Sequence, residues 1–208
     1  MKLACFDMDG VIFKSKNFWL ELHKRFGTYE EGKKLTEQYL HNNYAKLVEE
    51  VVVKLWKGKD ATQYYELVRN AEYVDGAADV ISHLRSRKIL TALITTGPKD
   101  LARRAQDELG IDCIYANELA IKDNKVSGEF IWPLGHGGEE KVKIVKELMH
   151  RLGLKWEDVS YVGDHDNDIE VCKKAGLAIG FNPSEKLEKE CEHIVRGSSL
   201  KEVLNYIK

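Results

Sequence analysis

Residues Leu3 to Gly10 read "LACFDMDG". Leu3–Phe6 is a short apolar run of the kind that forms a buried strand. Asp7, Asp9 and Gly10 follow at once, and they are poor residues with which to continue one. Side chains at i and i+2 point to the same side while a strand lasts, so the two carboxylates repel. The only cation in the next few residues is Lys14. Open parallel sheets bind ligands beyond the carboxyl ends of their strands, and this pair would stand there. A divalent cation between the acids, or a proton on one, relieves the repulsion. Mg²⁺ suits the place, because it takes carboxylate oxygens while keeping water and phosphate oxygens in its shell. A solvated Asp-Gly turn is the plain structural alternative.

The rest of the chain decides how much sheet surrounds that strand. Apolar runs at Ile89–Thr95, Cys113–Ala116, Val159–Val162 and Leu177–Gly180 alternate with stretches of helical spacing. Those stretches carry Val80, Ile81 and Leu84; Leu101, Ala105 and Leu109; and Val142, Val145, Leu148 and Leu152. Such alternation predicts a parallel sheet with helices on both faces. "SLKE" at Ser199–Glu202 is a capping-box pattern, and it predicts a closing amphipathic helix through Ile207.

Two segments break the rhythm. Lys14 to Glu72 holds no convincing strand and shows helical spacing with many aromatics (Phe18, Trp19, Leu22, Phe26; Leu47, Val48, Val51, Val52, Leu55; Tyr64, Tyr65, Val68). "AIKDNKVSGEF", Ala120 to Phe130, reads as a hairpin turning at Lys122–Lys125. The expected fold is α/β: a Rossmann-like three-layer core with a parallel sheet, a small helical-bundle cap and a β-hairpin excursion. The core would comprise residues 1–13 and 73–208, and the cap 14–72.

Composition narrows the partners. The chain has 208 residues, 43% of them hydrophobic, enough for one sizeable core with a small insert. A formal net charge of −2 argues against nucleic acid or an anionic membrane as the main partner. No run of about 18 apolar residues suggests a membrane span, and the N-terminus meets acid too soon for a signal peptide. Cys5, Cys113, Cys172 and Cys191 are scattered without a Cys-x-x-Cys pair, so they read as reduced thiols of a cytoplasmic protein. Apolar cap faces leave a monomer or a homodimer open.

Three further strand ends bear on Asp7 and Asp9. Thr95-Thr96-Gly97-Pro98 offers hydroxyls, a flexible backbone and a helix start, a place for phosphate. Lys141 opens an amphipathic helix, where its charge opposes the dipole, a mild misfit that hints at a task. "YVGDHDNDIE" sets Asp164, Asp166 and Asp168 just after a strand, unfavourable without a cation or lysine nearby. Together these are parts for phosphoryl transfer. An aspartate can act as nucleophile and form an aspartyl-phosphate. Mg²⁺ and Lys can neutralise the phosphoryl oxygens. A second carboxylic acid can protonate the leaving oxygen.

The motifs "DMDGV", "ITTG", Lys141 and "GDHDND", in that order, resemble those of the haloacid dehalogenase-like hydrolases, and within them the phosphatase branch. The resemblance spans the whole core. It implies that Asp7 is the nucleophile and a metal ligand, and that Asp9 is the general acid/base with its backbone carbonyl on the metal. It implies that Thr95 and Lys141 hold the phosphate, with Thr96 and Gly97 beside them. Asp164 would be a metal ligand, Asp168 a supporting acid, and Asn167 a group that helps hold phosphate or metal-bound water. An acid at Asp9 resembles a phosphatase or phosphomutase, since the dehalogenases lack one there. The implied cofactor is Mg²⁺ and the implied substrate a small phosphomonoester metabolite. A sugar phosphomutase and a non-catalytic metabolite-binding protein are the alternatives. The helical insert resembles the family's first cap type, and the core resembles the phosphoserine phosphatases.

One departure concerns the substrate. Aligned without gaps, the phosphoserine enzymes place a glutamate after the first motif and an arginine in the cap. Here Lys16 and Val52 fall at those positions, and no Arg occurs from Phe26 to Val68. This argues against phosphoserine, while Lys14 and Lys16 suit a more acidic phosphoester or a sugar phosphate. His136 is expected at the surface, and His165 near substrate or cap. Trp19, Trp56 and the cap tyrosines are expected in the core of the bundle, and Trp132 in packing or at the site.

Overall fold

A computed structural model describes all 208 residues. The apolar run forms β1 (Leu3–Phe6), wholly buried. Four helices follow: α1 (Phe18–Arg25), α2 (Tyr29–Tyr39), α3 (Tyr44–Val48) and α4 (Thr62–Asn70). Between α3 and α4 the chain forms a π-helical segment, Glu49–Trp56, which helical spacing alone does not distinguish from an α-helix. The core resumes with α5 (Ala77–Ser86), β2 (Leu90–Pro98), α6 (Lys99–Leu109), β3 (Cys113–Lys122) and β4 (Lys125–Ile131). It ends with α7 (Glu139–Leu152), β5 (Val159–Gly163), α8 (Ile169–Cys172), β6 (Leu177–Phe181), α9 (Glu185–Glu188) and β7 (His193–Val195).

The sheet has seven strands in the order β4-β3-β2-β1-β5-β6-β7. All neighbours are parallel except β3 and β4. Chain order runs outward from β1 through β2 and β3, then returns to the other flank through β5, β6 and β7. The reversal at β1 leaves a crevice outside the strand ends, where ligands of such sheets bind. Side chains of β1 alternate between two cores. Ala4 and Phe6 join α5, α6 and the C-terminal segment on one face, and Leu3 and Cys5 join α7, α8 and α9 on the other. The first core continues without a break into the helical insert through Phe18, Leu22, Trp56 and Tyr64.

Several expectations change in detail. β2 runs on through Thr95–Pro98, so the threonines lie in extended backbone and α6 starts only after Pro98. β3 is longer than Cys113–Ala116, because it pairs with β2 at its start and with β4 at its end. The hairpin turns at Asp123 and Asn124, both at positive φ (49° and 56°), residue types that tolerate that region. It extends the central sheet and does not stand apart from it. β7, only three residues long, has no sequence signal of its own. The closing segment is a 3₁₀ helix, Leu200–Asn205, and Ser199 accepts from the Lys201 N–H in place of a capping box. No helix is long and apolar enough to cross a membrane. All four cysteines are free; Cys5 and Cys172 are buried, Cys113 and Cys191 half-buried.

Candidate active site

The carboxyl ends of β1, β2 and β5 bring the predicted residues together. Asp7 leaves β1 with its N–H still bonded to the Val162 carbonyl (2.9 Å), which fixes where its carboxylate can go. Asp7 Oδ1 accepts from Lys141 Nζ at 2.7 Å, and the same ammonium reaches Asp168 Oδ1 at 2.7 Å and the Tyr161 hydroxyl at 3.2 Å. Tyr161 in turn donates to Asp168 Oδ1 at 2.7 Å. Lys141 is wholly buried in the first turn of α7, so the misfit noted in the sequence has a cause: two buried carboxylates hold its charge. Lys14, the first lysine after Asp7 in the chain, pairs instead with Glu72 and Asp75 on the surface.

The three acids after β5 separate by task. Asp168 is saturated, since its second oxygen accepts from the backbone of Asp164 (3.2 Å) and His165 (3.5 Å). Asp166 turns away to Ser184 (2.6 Å) and Lys186 (2.7 Å). Asp164 makes no side-chain ion pair and faces Asp7. Carboxylate oxygens of Asp7, Asp164 and Asp168 lie within 4.8 Å of one another. Gly10, at φ +78°, lets this crowding occur, because a Cβ there would run into the Asp164 carboxylate.

The turn after β1 carries Asp9. Its Oδ2 accepts the Phe18 N–H at 3.1 Å, at the start of α1, while its buried Oδ1 has no partner. Asn167 Oδ1 is likewise buried and unpartnered. Such orphans are costly and mark places that await a ligand or a water. In β2, Thr95 Oγ1 accepts the Gly97 N–H at 2.9 Å, which leaves its own proton to donate. A Cβ on Gly97 would stand 2.5 Å from the Met8 methyl and 3.6 Å from Asp9 Oδ2. Gly97 is therefore a close-approach position.

Burial sets the electrostatics. Asp7 is pushed above the usual carboxylate range by burial, against the pull of Lys141. Asp164 is raised as well, by burial first and then by Asp7 and Asp168. Asp9 is pushed up to about 7 by burial, despite its bond to the Phe18 N–H and with help from Asp7. Lys141 stays well above its ordinary range: burial opposes the charge, but Asp168 and Asp7 outweigh it.

These groups open onto one cavity of about 630 Å³, whose walls include Asp7, Asp9, Thr95, Thr96, Asp164 and Asn167. Lys141, Asp168 and Gly97 are not among its walls; they stand behind them. The far side of the cavity is formed by the helical insert. Trp19 Nε1 donates to the Thr96 carbonyl at 2.9 Å and so ties insert to core. Asn117, fully buried, steadies the same carbonyl (3.0 Å) and that of Gly135 (2.9 Å). Sequence reading missed Tyr161, Asn117 and this use of Trp19. A buried tyrosine in an apolar strand was the one available signal. His136, expected at the surface, lines the cavity, its ring 5.3 Å from that of His41. His165 and Trp56 line it too, while Trp132 packs on Tyr44 at 5.1 Å.

Comparison with known proteins agrees with the geometry. A family model described as haloacid dehalogenase-like hydrolase matches residues 4–173. Phosphoserine phosphatase of Methanocaldococcus jannaschii is 28% identical over 211 residues, covering 100% of this chain and 98% of that protein. The enzyme of the same name from Wolinella succinogenes is 26% identical over 210 residues and covers 100% of both. A solved structure of a phospho-aspartyl intermediate analogue of phosphoserine phosphatase superposes with a TM-score of 0.87 at 28% identity. It covers 100% of this chain and 99% of that one.

Proposed function

Since the chain belongs to the haloacid dehalogenase-like hydrolases and is a phosphatase that works through an aspartyl-phosphate, we propose that Asp7 is its nucleophile and Mg²⁺ its metal, acting on a small phosphomonoester. The observation that carries this is the placing of Asp7. Its carboxylate stands at the end of β1, fixed by Lys141 through one oxygen, with Asp9, Thr95 and Asp164 on the walls of the same cavity.

The donor set fits a hard divalent cation. Asp7 and Asp164 face each other with raised pKa values, and all the available donors are oxygens. Asp7, Asp164 and the Asp9 backbone carbonyl would hold the ion, with Asp168 supporting through Lys141 and the Asp164 N–H. When bound, Mg²⁺ supplies charge neutralisation to the phosphoryl oxygens.

The chain's own groups then do the following. An Asp7 oxygen attacks phosphorus, so that an O–P bond forms while the ester O–P bond breaks. Asp9, held protonated near neutral pH by its burial, gives its proton to the leaving oxygen. The Thr95 hydroxyl donates to a phosphoryl oxygen, Lys141 balances charge behind Asp7, and Thr96, Gly97 and Asn167 shape the phosphate end. Water then attacks the aspartyl-phosphate, Asp9 takes its proton, and inorganic phosphate leaves with Asp7 restored. Residues 14–72 act as a cap that excludes water and meets the leaving group, with 1–13 and 73–208 as the catalytic core. Lys16 and Val52 both line the cavity, which supports a substrate other than phosphoserine.

The test is to react the protein with a labelled phosphomonoester and Mg²⁺, quench in acid, and map the label. A hydroxylamine-labile phosphoryl group on the N-terminal peptide, absent from Asp7→Asn, is expected. Phosphate release by Asp7→Asn at the wild-type rate would refute the assignment.

A further inference from the structure

The cavity is larger than its chemistry needs. A phosphoryl group on a three-carbon alcohol fills only part of about 630 Å³, a volume in the range of sites that take drug-sized molecules. The remainder is walled in part by polar groups, among them Lys16, Thr36, Glu37 and His41, and in part by apolar side chains. Val48, Val51, Val52 and Trp56 of the α3–π-helix stretch, with Trp19 and Phe130, line it. Val51, Val52 and Trp56 are buried, so these walls are interior surface and not an exposed patch.

Trp19 joins the apolar part to the phosphate end. Its Nε1 is held by the Thr96 carbonyl at 2.9 Å, next to Thr95. Its ring lies 5.4 Å from Phe130, edge to face, and 6.1 Å from Trp56. A leaving group attached to a phosphoryl at Thr95 therefore runs along a fixed aromatic side chain towards the valines. Some polar groups on this side are engaged elsewhere: the Thr36 hydroxyl donates to the Gly32 carbonyl at 2.8 Å. His23 Nδ1 is 2.8 Å from Thr28 Oγ1 with its ring against Trp56, and Glu37 pairs with Lys33. Against Val48, Val51, Val52 and Trp56 a zwitterionic leaving group would lose hydration with no charged partner among those side chains.

We propose that the substrate is a phosphomonoester with an uncharged aromatic leaving group, an aryl or arylalkyl phosphate, and that Trp19 and Val52 determine that specificity. This rests on the phosphatase reading above. Each methylene buried in the apolar part is worth roughly fourfold in kcat/KM, so a phenyl-bearing ester gains well over tenfold over a short polar one.

The experiment measures phosphate release with Mg²⁺ from 2-phenylethyl phosphate, benzyl phosphate, glycerol phosphate and phosphoserine. All are alkyl esters, so leaving ability does not set the ranking. Expected is a kcat/KM for 2-phenylethyl phosphate at least tenfold above that for phosphoserine. In Trp19→Ala the ratio of 2-phenylethyl to glycerol phosphate should fall at least tenfold. In the near-isosteric Val52→Thr it should fall about three- to tenfold, mainly through KM. Phosphoserine as the better substrate overturns the inference while leaving the phosphatase reading intact, as does an unchanged ratio in both variants. Absence of phosphate release from every ester, with no phosphoryl label on Asp7, overturns both.

Discussion

Lys141 Nζ lies 2.7 Å from Asp7 Oδ1, although 134 residues separate them in the chain. The same nitrogen lies 2.7 Å from Asp168 Oδ1. One buried cation thus fixes the carboxylate at the end of β1 and the loop after β5 together. Lys141→Met removes that cation and leaves two buried carboxylates without it. A loss of about 3–5 kcal/mol in unfolding free energy is expected, measured by urea denaturation. A variant as stable as wild type would show that the ion pairs do not organise the site.

Asp7→Asn should behave in the opposite way. Burial already disfavours the charge on Asp7, so a neutral isostere costs little and should keep the melting temperature within a few degrees. Phosphate release should fall by about 10³-fold or more if Asp7 is the nucleophile, as proposed. A large drop in melting temperature would mean that Asp7 serves the fold first.

Metal should act on stability as well as on rate. EDTA should abolish phosphate release and Mg²⁺ restore it. Without substrate, Mg²⁺ at a hundredfold excess over its Kd should add about 2–3 kcal/mol of stability. Asp164→Asn should shrink that increment, since it removes an acid that faces Asp7. Undiminished turnover in excess EDTA contradicts the metal assignment.

Gly10→Ala tests the crowding of the acids. A Cβ at Gly10 meets the Asp164 carboxylate, and φ +78° disfavours any side chain. A loss of roughly 1–3 kcal/mol is expected, with at least a tenfold drop in kcat as Asp164 is displaced. Both can be read from one preparation by thermal melting and phosphate release.

His23 supplies a pH dependence away from the acids. Burial lowers its pKa from 6.5 to about 4, against the bond to Thr28. The unfolded chain therefore binds more protons than the folded one between those values, and stability falls as pH drops from 6.5 towards 4. In a melting series over that range, His23→Gln should lose less stability than wild type. Parallel curves would remove His23 as the cause.

The two acidic motifs were legible in the sequence because each sits where a strand pattern stops and charge begins, and Lys141 because its charge opposes the dipole of the helix that it opens. The strand Leu3–Phe6 ends at Asp7, and Val159–Val162 runs out just before Asp164; in both places apolar periodicity and unpaired acids meet in a few residues. The helical nature of 14–72 and the hairpin at Lys122–Lys125 were legible for similar local reasons. Thr95–Pro98 reads as a helix start because Pro suits a helix's first turn, yet parallel pairing to β3 keeps it extended as far as Pro98. β7 and the 3₁₀ character of Leu200–Asn205 depend on what they pack against, and spacing carries no record of that.

What the sequence determined by itself is the inventory: which acids, which lysine, which hydroxyls, and that each follows a strand or opens a helix. What only the tertiary structure decided is their partnership. Lys14 is the first lysine after Asp7 in the chain but pairs with Glu72 and Asp75. Asp166 sits between Asp164 and Asp168 but turns to Lys186. Trp19 packs against the bundle core and also reaches the Thr96 carbonyl with its Nε1. Local patterning sets backbone conformation, which is a short-range property. Which buried charges meet is settled by desolvation in a closed core, where Lys141 finds Asp7 and Asp168 across the sheet.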